Sequence, residues 1–390
     1  MINPPVVGKT LARTGWSMKR ASEAGGGTMG RIPEGELRRG WTTGACAAAA
    51  TKAAYLALLT GRFPDPVTIQ LPGGQRPSFD LIEKSLRPKR ATAAVIKDAG
   101  DDPDVTHGAV IRAMVCRGEP GSGVLFIAGE GVGVVTRPGL PIAVGEPAIN
   151  PGPRKLIRSL VAEIAHDRSD GGDVEVTLAI PGGDTLANRT TNARLGIVGG
   201  LSILGTTGVV IPYSCASWIH SIHRGIDVAR ACRLGHVAAA TGSTSERAVQ
   251  AYYGLPDVAL IDMGDFVGGT LKYLRHHPIA RITLAGGFAK IAKLAAGHLD
   301  LHSSRSAVDL PGLTALLAEH GATGDLLDHA RAAASANEVL LLAQGVGLPL
   351  ADDVARQARR VALKQLDGGC ALEVMVFDRD GRLIGRAQGW

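Results

Sequence analysis

The sequence predicts an α/β fold with α+β character: an N-terminal α+β domain over residues 37–190, then a C-terminal Rossmann-like parallel-sheet domain over 191–390 with a helical C-terminal region. Three observations carry this reading. Short β-like runs between residues 67 and 128 are broken by Gly, Pro and Asp clusters, with few helical stretches among them. Three later apolar runs each lead into a Gly turn and a helical segment, the rhythm of parallel strands joined by helices. Finally, 52 glycines against 4% aromatic residues favour many close backbone turns over an all-β sandwich.

Taken in order, residues 1–36 are basic and glycine-rich, lack the apolar core of a secretory signal, and are expected to form a mobile leader. Thr42 or Thr43 then caps an alanine-rich helix that runs to about Leu59 and stops at Gly61. Strands are expected at 67–71, 79–83, 92–97, 109–116 and 124–128, followed by the proline-rich loop 145–154. A helix over 155–166 and a strand over 174–180 return the chain to the same sheet and close the first domain near residue 190. The parallel strands of the second domain are expected at 237–240, 258–261 and 282–285. Residues 310–366, rich in Ala and Leu, read as helical. A terminal hairpin, 372–377 with 382–386, turns on the Asp-Gly pair at 380–381.

A chain of 390 residues, 45% hydrophobic and 20% charged, favours two domains sharing a cleft. The net charge of +6 favours an acidic partner. Basic residues are scattered and aromatics few, which disfavours nucleic acid and leaves a small polycarboxylate as the preferred ligand. Cys46, Cys116, Cys215, Cys232 and Cys370 form no C-x-x-C pair, which argues against disulfides and structural zinc and for a reducing cytoplasm; Cys46 reads as a packed thiol. The stretch 195–223 carries no Asp, Glu, Lys or Arg, yet its five glycines, together with Pro212, argue against a membrane span.

Gly242, Ser243 and Thr244 stand between a strand and a helix, where backbone N–H groups and small hydroxyls meet a ligand, and Asp262 follows 20 residues on. The second and third glycines of G-x-G-x-x-G are missing, so adenosine without pyrophosphate fits better than a dinucleotide. S-adenosylmethionine is such a ligand, with Gly264, Asp265, Gly286 and Gly287 at the other strand ends completing its crevice; each glycine equally serves to turn a corner. Arg38, Arg39, Thr42, Thr43 and Gly44 at the entrance of the alanine helix form a candidate carboxylate cradle. Asp98, Asp101, Asp102 and Asp104 surround His107 without the register of a calcium loop and read as turn caps rather than metal ligands. His220 with His223, and His298 with His302, have helix-face spacing but no H-E-x-x-H glutamate; His302 with Ser303 is a candidate substrate-facing pair.

Six blocks covering most of the chain after the leader resemble the CbiD family of cobalt-precorrin-5B C(1)-methyltransferases. They are GWTTGACAAAATKAA from Gly40, KDAGDDPDVTHG from Lys97, GEGVGVVTRPGLPIAVGEPAINPGPR from Gly129, ARLGIVGGLSILGTTGVVIPYS from Ala193, GDFVGG from Gly264 and KLAAGHLDLHS from Lys293. The chain departs from the pattern at Leu301, where a Thr is expected before the His-Ser pair. The resemblance implies S-adenosylmethionine-dependent methylation of carbon 1 of cobalt-precorrin-5B in corrin-ring biosynthesis. It also implies an anionic cobalt-tetrapyrrole partner, and leaves room for hand-over to other corrin-pathway enzymes and for a homo-oligomer. Methyl transfer to carbon demands alignment and exclusion of water more than a protein nucleophile. Any general base is expected among Asp101, His107 and His302. The alternatives are a nicotinamide-dependent oxidoreductase and a non-catalytic tetrapyrrole chaperone.

Overall fold

The computed structural model describes residues 35–390, so the expected leader at 1–36 lies outside the described residues except for Gly35 and Glu36. Within them the chain is mixed α/β. The helix Thr43–Thr60 starts where expected: the Thr42 hydroxyl accepts the Ala45 N–H at 3.2 Å, and Gly61, at φ 77°, ends it by donating to the Ala57 carbonyl. Its alanines are fully buried, and small side chains on every face let it pack closely between the helix Pro151–Arg168 and a five-stranded sheet. The sheet runs in the order Glu83–Arg87, Arg90–Ile96, Val110–Arg117, Val174–Ala179, Val124–Ala128, and only the last pair is parallel. Period-two alternation decides its faces: Ala91, Ala93 and Val95, then Ile111, Ala113 and Val115, then Val174, Val176 and Leu178 all join the helix-covered core. The strand expected at 79–83 is divided between Ser78–Phe79 and Glu83–Arg87, and between them the Leu81 N–H donates to Asp65 Oδ1 at 3.0 Å.

A division near residue 190 cuts off a segment that pairs with the first half. Ile197–Val198 pairs with Val134–Val135, Val209–Val210 pairs with Gly40–Trp41, and Leu201 and Ile203 bridge to Val132 and Ile149. The first half therefore extends through Val210. Of the charge-free run, Ile197, Leu201, Ile203 and Ile222 are buried while Val198, Leu204 and Ile211 are exposed, and among the described residues no helix is long and apolar enough to cross a membrane. Glycine makes the return possible: Gly205 has φ 120°, and a Cβ there would lie 2.2 Å from the Thr42 hydroxyl that caps the alanine helix. Gly205→Ala is accordingly expected to cost about 2 kcal/mol, from left-handed strain and displacement of the cap. A urea unfolding midpoint measures it; an unchanged midpoint is the contrary result.

The second half is built on a sheet ordered Leu260–Asp262, His236–Ala240, Arg281–Gly287, Ala371–Phe377, Leu383–Ala387, the first four strands parallel and the last antiparallel. Strand–turn–helix rhythm and terminal hairpin thus both appear, and the hairpin's first strand joins the parallel set. Val237, Ala239, Ile282, Leu284, Val374 and Val376 face a core shared with the helices Cys215–Ala231, Val267–His276, Phe288–Ala295 and Leu350–Leu366. Ala238, Ala240, Ala285, Met375 and Phe377 face the other way, against the helix Ser243–Tyr253. The long helical reading of 310–366 resolves into Leu310–Glu319, Asp325–Ala332, Ala336–Gly345 and Leu350–Leu366. Breaks fall at Gly321, Gly324 and Gly347, all at positive φ, and new starts are capped by Asp309 and Ser335.

Candidate functional site

A cavity of about 710 Å³ lies between the two halves. The first half lines it with Thr42, Asp102, Asp104 and residues 204–207 and 209–210; the second with the helix Cys215–Ala231 and the end of the strand Leu260–Asp262. Tyr213, at φ 56°, marks the joint, and its N–H donates to Asp102 Oδ1 at 2.8 Å. Arg194 forms a bidentate pair with Glu246 at 2.8 and 2.6 Å, tying the returning segment to the helix Ser243–Tyr253. Asp104 accepts the Lys97 ammonium and both the N–H and hydroxyl of Thr106; burial alone raises its carboxyl, but these partners outweigh it and hold it below the ordinary range. Asp262 has the opposite balance: burial first, then Glu246, push it up to about 6 against the pull of Arg194. The Trp218 indole N–H donates at 3.1 Å to the Asp262 backbone carbonyl, and both residues line the cleft.

A second crevice, about 450 Å³, opens at the carboxyl edge of the parallel strands. It sits between His236–Ala240 and Arg281–Gly287, adjacent strands whose onward connections leave in opposite directions, the place where open parallel sheets take ligands. Gly242, Ser243, Thr244 and Gly287 line it with Lys290, Phe377, Asp378 and Arg379. Cβ atoms at Gly242 and Gly287 would meet nothing within 4 Å, so these two leave open space for a ligand, whereas one at Gly286 would strike Ile291 at 2.8 Å. Gly286 is therefore a packing glycine. Asp265 reaches the crevice through its ion pair with Lys290, and Gly264, at φ 55°, lies against the Trp218 ring.

The cofactor residues expected from sequence are thus divided: Gly242, Ser243, Thr244 and Gly287 share the crevice, while Asp262 lines the cleft. Of the expected cradle, Thr42 faces the cleft. Thr43 and Gly44 are buried, and the Gly44 N–H and the Thr43 hydroxyl both donate to the Leu204 carbonyl, so the chain itself closes this helix end. Arg38 is committed to Asp98, and its N–H to Asp101 at 2.6 Å; Arg39 is exposed. Asp101, His107 and His302 line neither cavity: His107 Nδ1 accepts the Ala99 N–H, and His302 Nδ1 bonds the Ser304 hydroxyl at 2.7 Å. Sequence reasoning gave no role to Arg194, Glu246 or Trp218. Arg194 carries a recognisable signal, as an arginine at the head of a long charge-free run.

Two α/β halves flank a large cleft, and a second crevice opens at the strand edge of the second half. The chain belongs to the CbiD family. The CbiD family model matches residues 31–212, and that of the CbiD C-terminal domain matches residues 300–388. A protein from Bradyrhizobium sp. called cobalt-precorrin-5B C(1)-methyltransferase is 59% identical over 354 residues, 90% of this chain and 94% of that one. Proteins of the same description from Paramagnetospirillum magneticum and Brucella anthropi are 59% and 57% identical, covering 91% and 90% of this chain and 99% and 96% of theirs. The crystal structure of the cobalamin biosynthesis protein CbiD from Archaeoglobus fulgidus aligns at TM-score 0.38 and 27% identity, over 70% of this chain and 84% of that one.

Proposed function

We propose that the chain methylates carbon 1 of cobalt-precorrin-5B with S-adenosylmethionine as donor. The observation that carries this is identity of 57–59%, over nine-tenths of the chain, to relatives described as catalysing that transfer. The strand order supports a Rossmann-like reading of the second half, with the donor at the reversal point near Gly242, Ser243, Thr244 and Gly287. Asp378 and Arg379 on its rim are of opposite charge, matched to the ammonium and carboxylate of an amino-acid moiety. The interdomain cleft is the natural place for the tetrapyrrole: it is the larger, it adjoins that edge, and Thr42 and Trp218 face it. Arg39 adjoins the strand Gly40–Trp41, whose partner Val209–Val210 lines the cleft. Lacking an ion-pair partner among the described residues, Arg39 is the arginine of that segment available to a substrate carboxylate. The placement of Asp101, His107 and His302 lends no support to a base among them.

Incubation of the protein with cobalt-precorrin-5B and methyl-labelled donor is expected to give a tetrapyrrole heavier by one labelled methyl group, located on carbon 1. A tetrapyrrole of unchanged mass overturns the reading.

A further inference from the structure

We infer that Asp262 is the group that takes the proton released when the acceptor carbon is methylated; this rests on the methyl-transfer reading above. As the acceptor carbon forms its new carbon–carbon bond, the sulfur leaves with the electron pair of the broken carbon–sulfur bond. The positive charge that was on sulfur passes to the conjugated macrocycle. Loss of one proton from a ring position conjugated with the new centre neutralises it, and a carboxylate held at the cleft wall receives that proton without any further reactant.

Geometry singles out Asp262 among the acidic groups facing the cleft. Asp102 already accepts the Tyr213 N–H, and Asp104 is held by Lys97 and Thr106. Asp262 ends a parallel strand on the cleft wall, and among the described residues its carboxylate accepts no hydrogen bond and joins no ion pair. Charged and titratable groups approach it from several elements. Arg194 comes from the returning segment and is occupied by Glu246 of the helix Ser243–Tyr253. His220 of the helix Cys215–Ala231 lines the same cleft, Asp102 and Asp104 stand on the opposite wall, and Asp257 on the turn before the strand is hydrogen-bonded by Gln250. Burial and Glu246 together lift the carboxyl to about 6. It is therefore largely ionised at neutral pH yet close enough to exchange a proton readily, the condition a general base meets best.

The test compares wild type with Asp262→Asn and Asp262→Glu, all as the full chain. In wild type the turnover limb is expected to fall tenfold per pH unit below about 6, because the working carboxylate is lost on protonation. Asp262→Asn is expected to lose that limb and about 10²–10³-fold in kcat, with the KM for the donor little changed; Asp262→Glu restores the limb. A readout independent of turnover is NMR of the protein labelled with carboxyl-13C aspartate. A resonance titrating near pH 6 in wild type, missing in Asp262→Asn, identifies the group without any ligand. If Asp262→Asn raises the donor KM and leaves kcat and its pH limb intact, the residue holds the donor and the inference fails while the methyltransferase reading stands. If wild type transfers no methyl group at any pH, that reading fails and the inference with it.

Discussion

Lys97→Met is expected to cost about 3 kcal/mol of unfolding free energy at neutral pH, measured by urea denaturation. Lys97 is 1% exposed, at the end of the strand Arg90–Ile96, and its ammonium is paired with Asp104 in the acidic loop. Removing one member of a buried pair leaves the other uncompensated and costs about 3–5 kcal/mol. The lower figure applies because the Asp104 side chain keeps 26% of its surface in water and two bonds from Thr106. The pH dependence gives a second check. In wild type Asp104 is held below the ordinary carboxylate range, so its stabilisation is present above that range and lost as pH falls through its folded value. Without Lys97, burial is opposed only by the two bonds from Thr106, so the Asp104 carboxyl lies higher than in wild type and the variant is weakened most where the carboxylate is charged. The deficit against wild type is thus expected to be largest at neutral pH and to narrow on acidification. A difference below about 1 kcal/mol, or one that widens toward acid, contradicts this account. Lys97→Met with Asp104→Asn is expected to recover much of the loss, since no lone charge then remains.

Local chemistry made part of this fold legible. Thr42 and Gly61 delimit the alanine helix because capping and left-handed glycine are short-range effects, and the strand–turn–helix rhythm after residue 236 shows in apolar runs alone. The return of 197–210 to the first half was hidden because strand pairing is a relation between distant residues, and two-residue strands such as Val209–Val210 have no period to detect. The same distinction explains the site. Gly242, Ser243, Thr244 and Gly287 follow from their positions at strand ends, which topology converts into one crevice. The cradle assigned to Thr43 and Gly44 depended on free N–H groups at a helix end, and the distant Leu204 carbonyl occupies that end. Asp262 was legible as a site residue but not as a member of the larger cavity, because its neighbours Arg194 and Trp218 come from two other, separate segments of the chain.

Glu373→Ala is expected to lower stability by about 4 kcal/mol and, in the folded fraction, to weaken donor binding. Glu373 is fully buried in the middle of the second sheet, where it accepts Arg386 Nε at 2.5 Å, the Thr283 hydroxyl at 3.2 Å and the Tyr253 hydroxyl. Burial, then Glu373 itself, pushes Tyr253 up to about 12, so the phenol stays a donor across the neutral range. One carboxylate thereby joins the strands Arg281–Gly287 and Leu383–Ala387 and the end of the helix Ser243–Tyr253 to its own strand, and truncation removes the shared acceptor of a guanidinium and two hydroxyls at once. Glu373→Gln keeps acceptor capacity and loses only the charge, so about half the cost is expected. The link to function runs along the strand: Ala371–Phe377 delivers Phe377, Asp378 and Arg379 to the crevice proposed for the donor. If the network chiefly sets that position, Glu373→Met with Arg386→Met should recover stability, because a buried ion pair is often replaceable by packed apolar groups. Donor affinity, read by calorimetry, should stay weakened in the same variant, since apolar contact does not fix the strand's register as a carboxylate bonded to three elements does. Recovery of both would assign the network to stability alone.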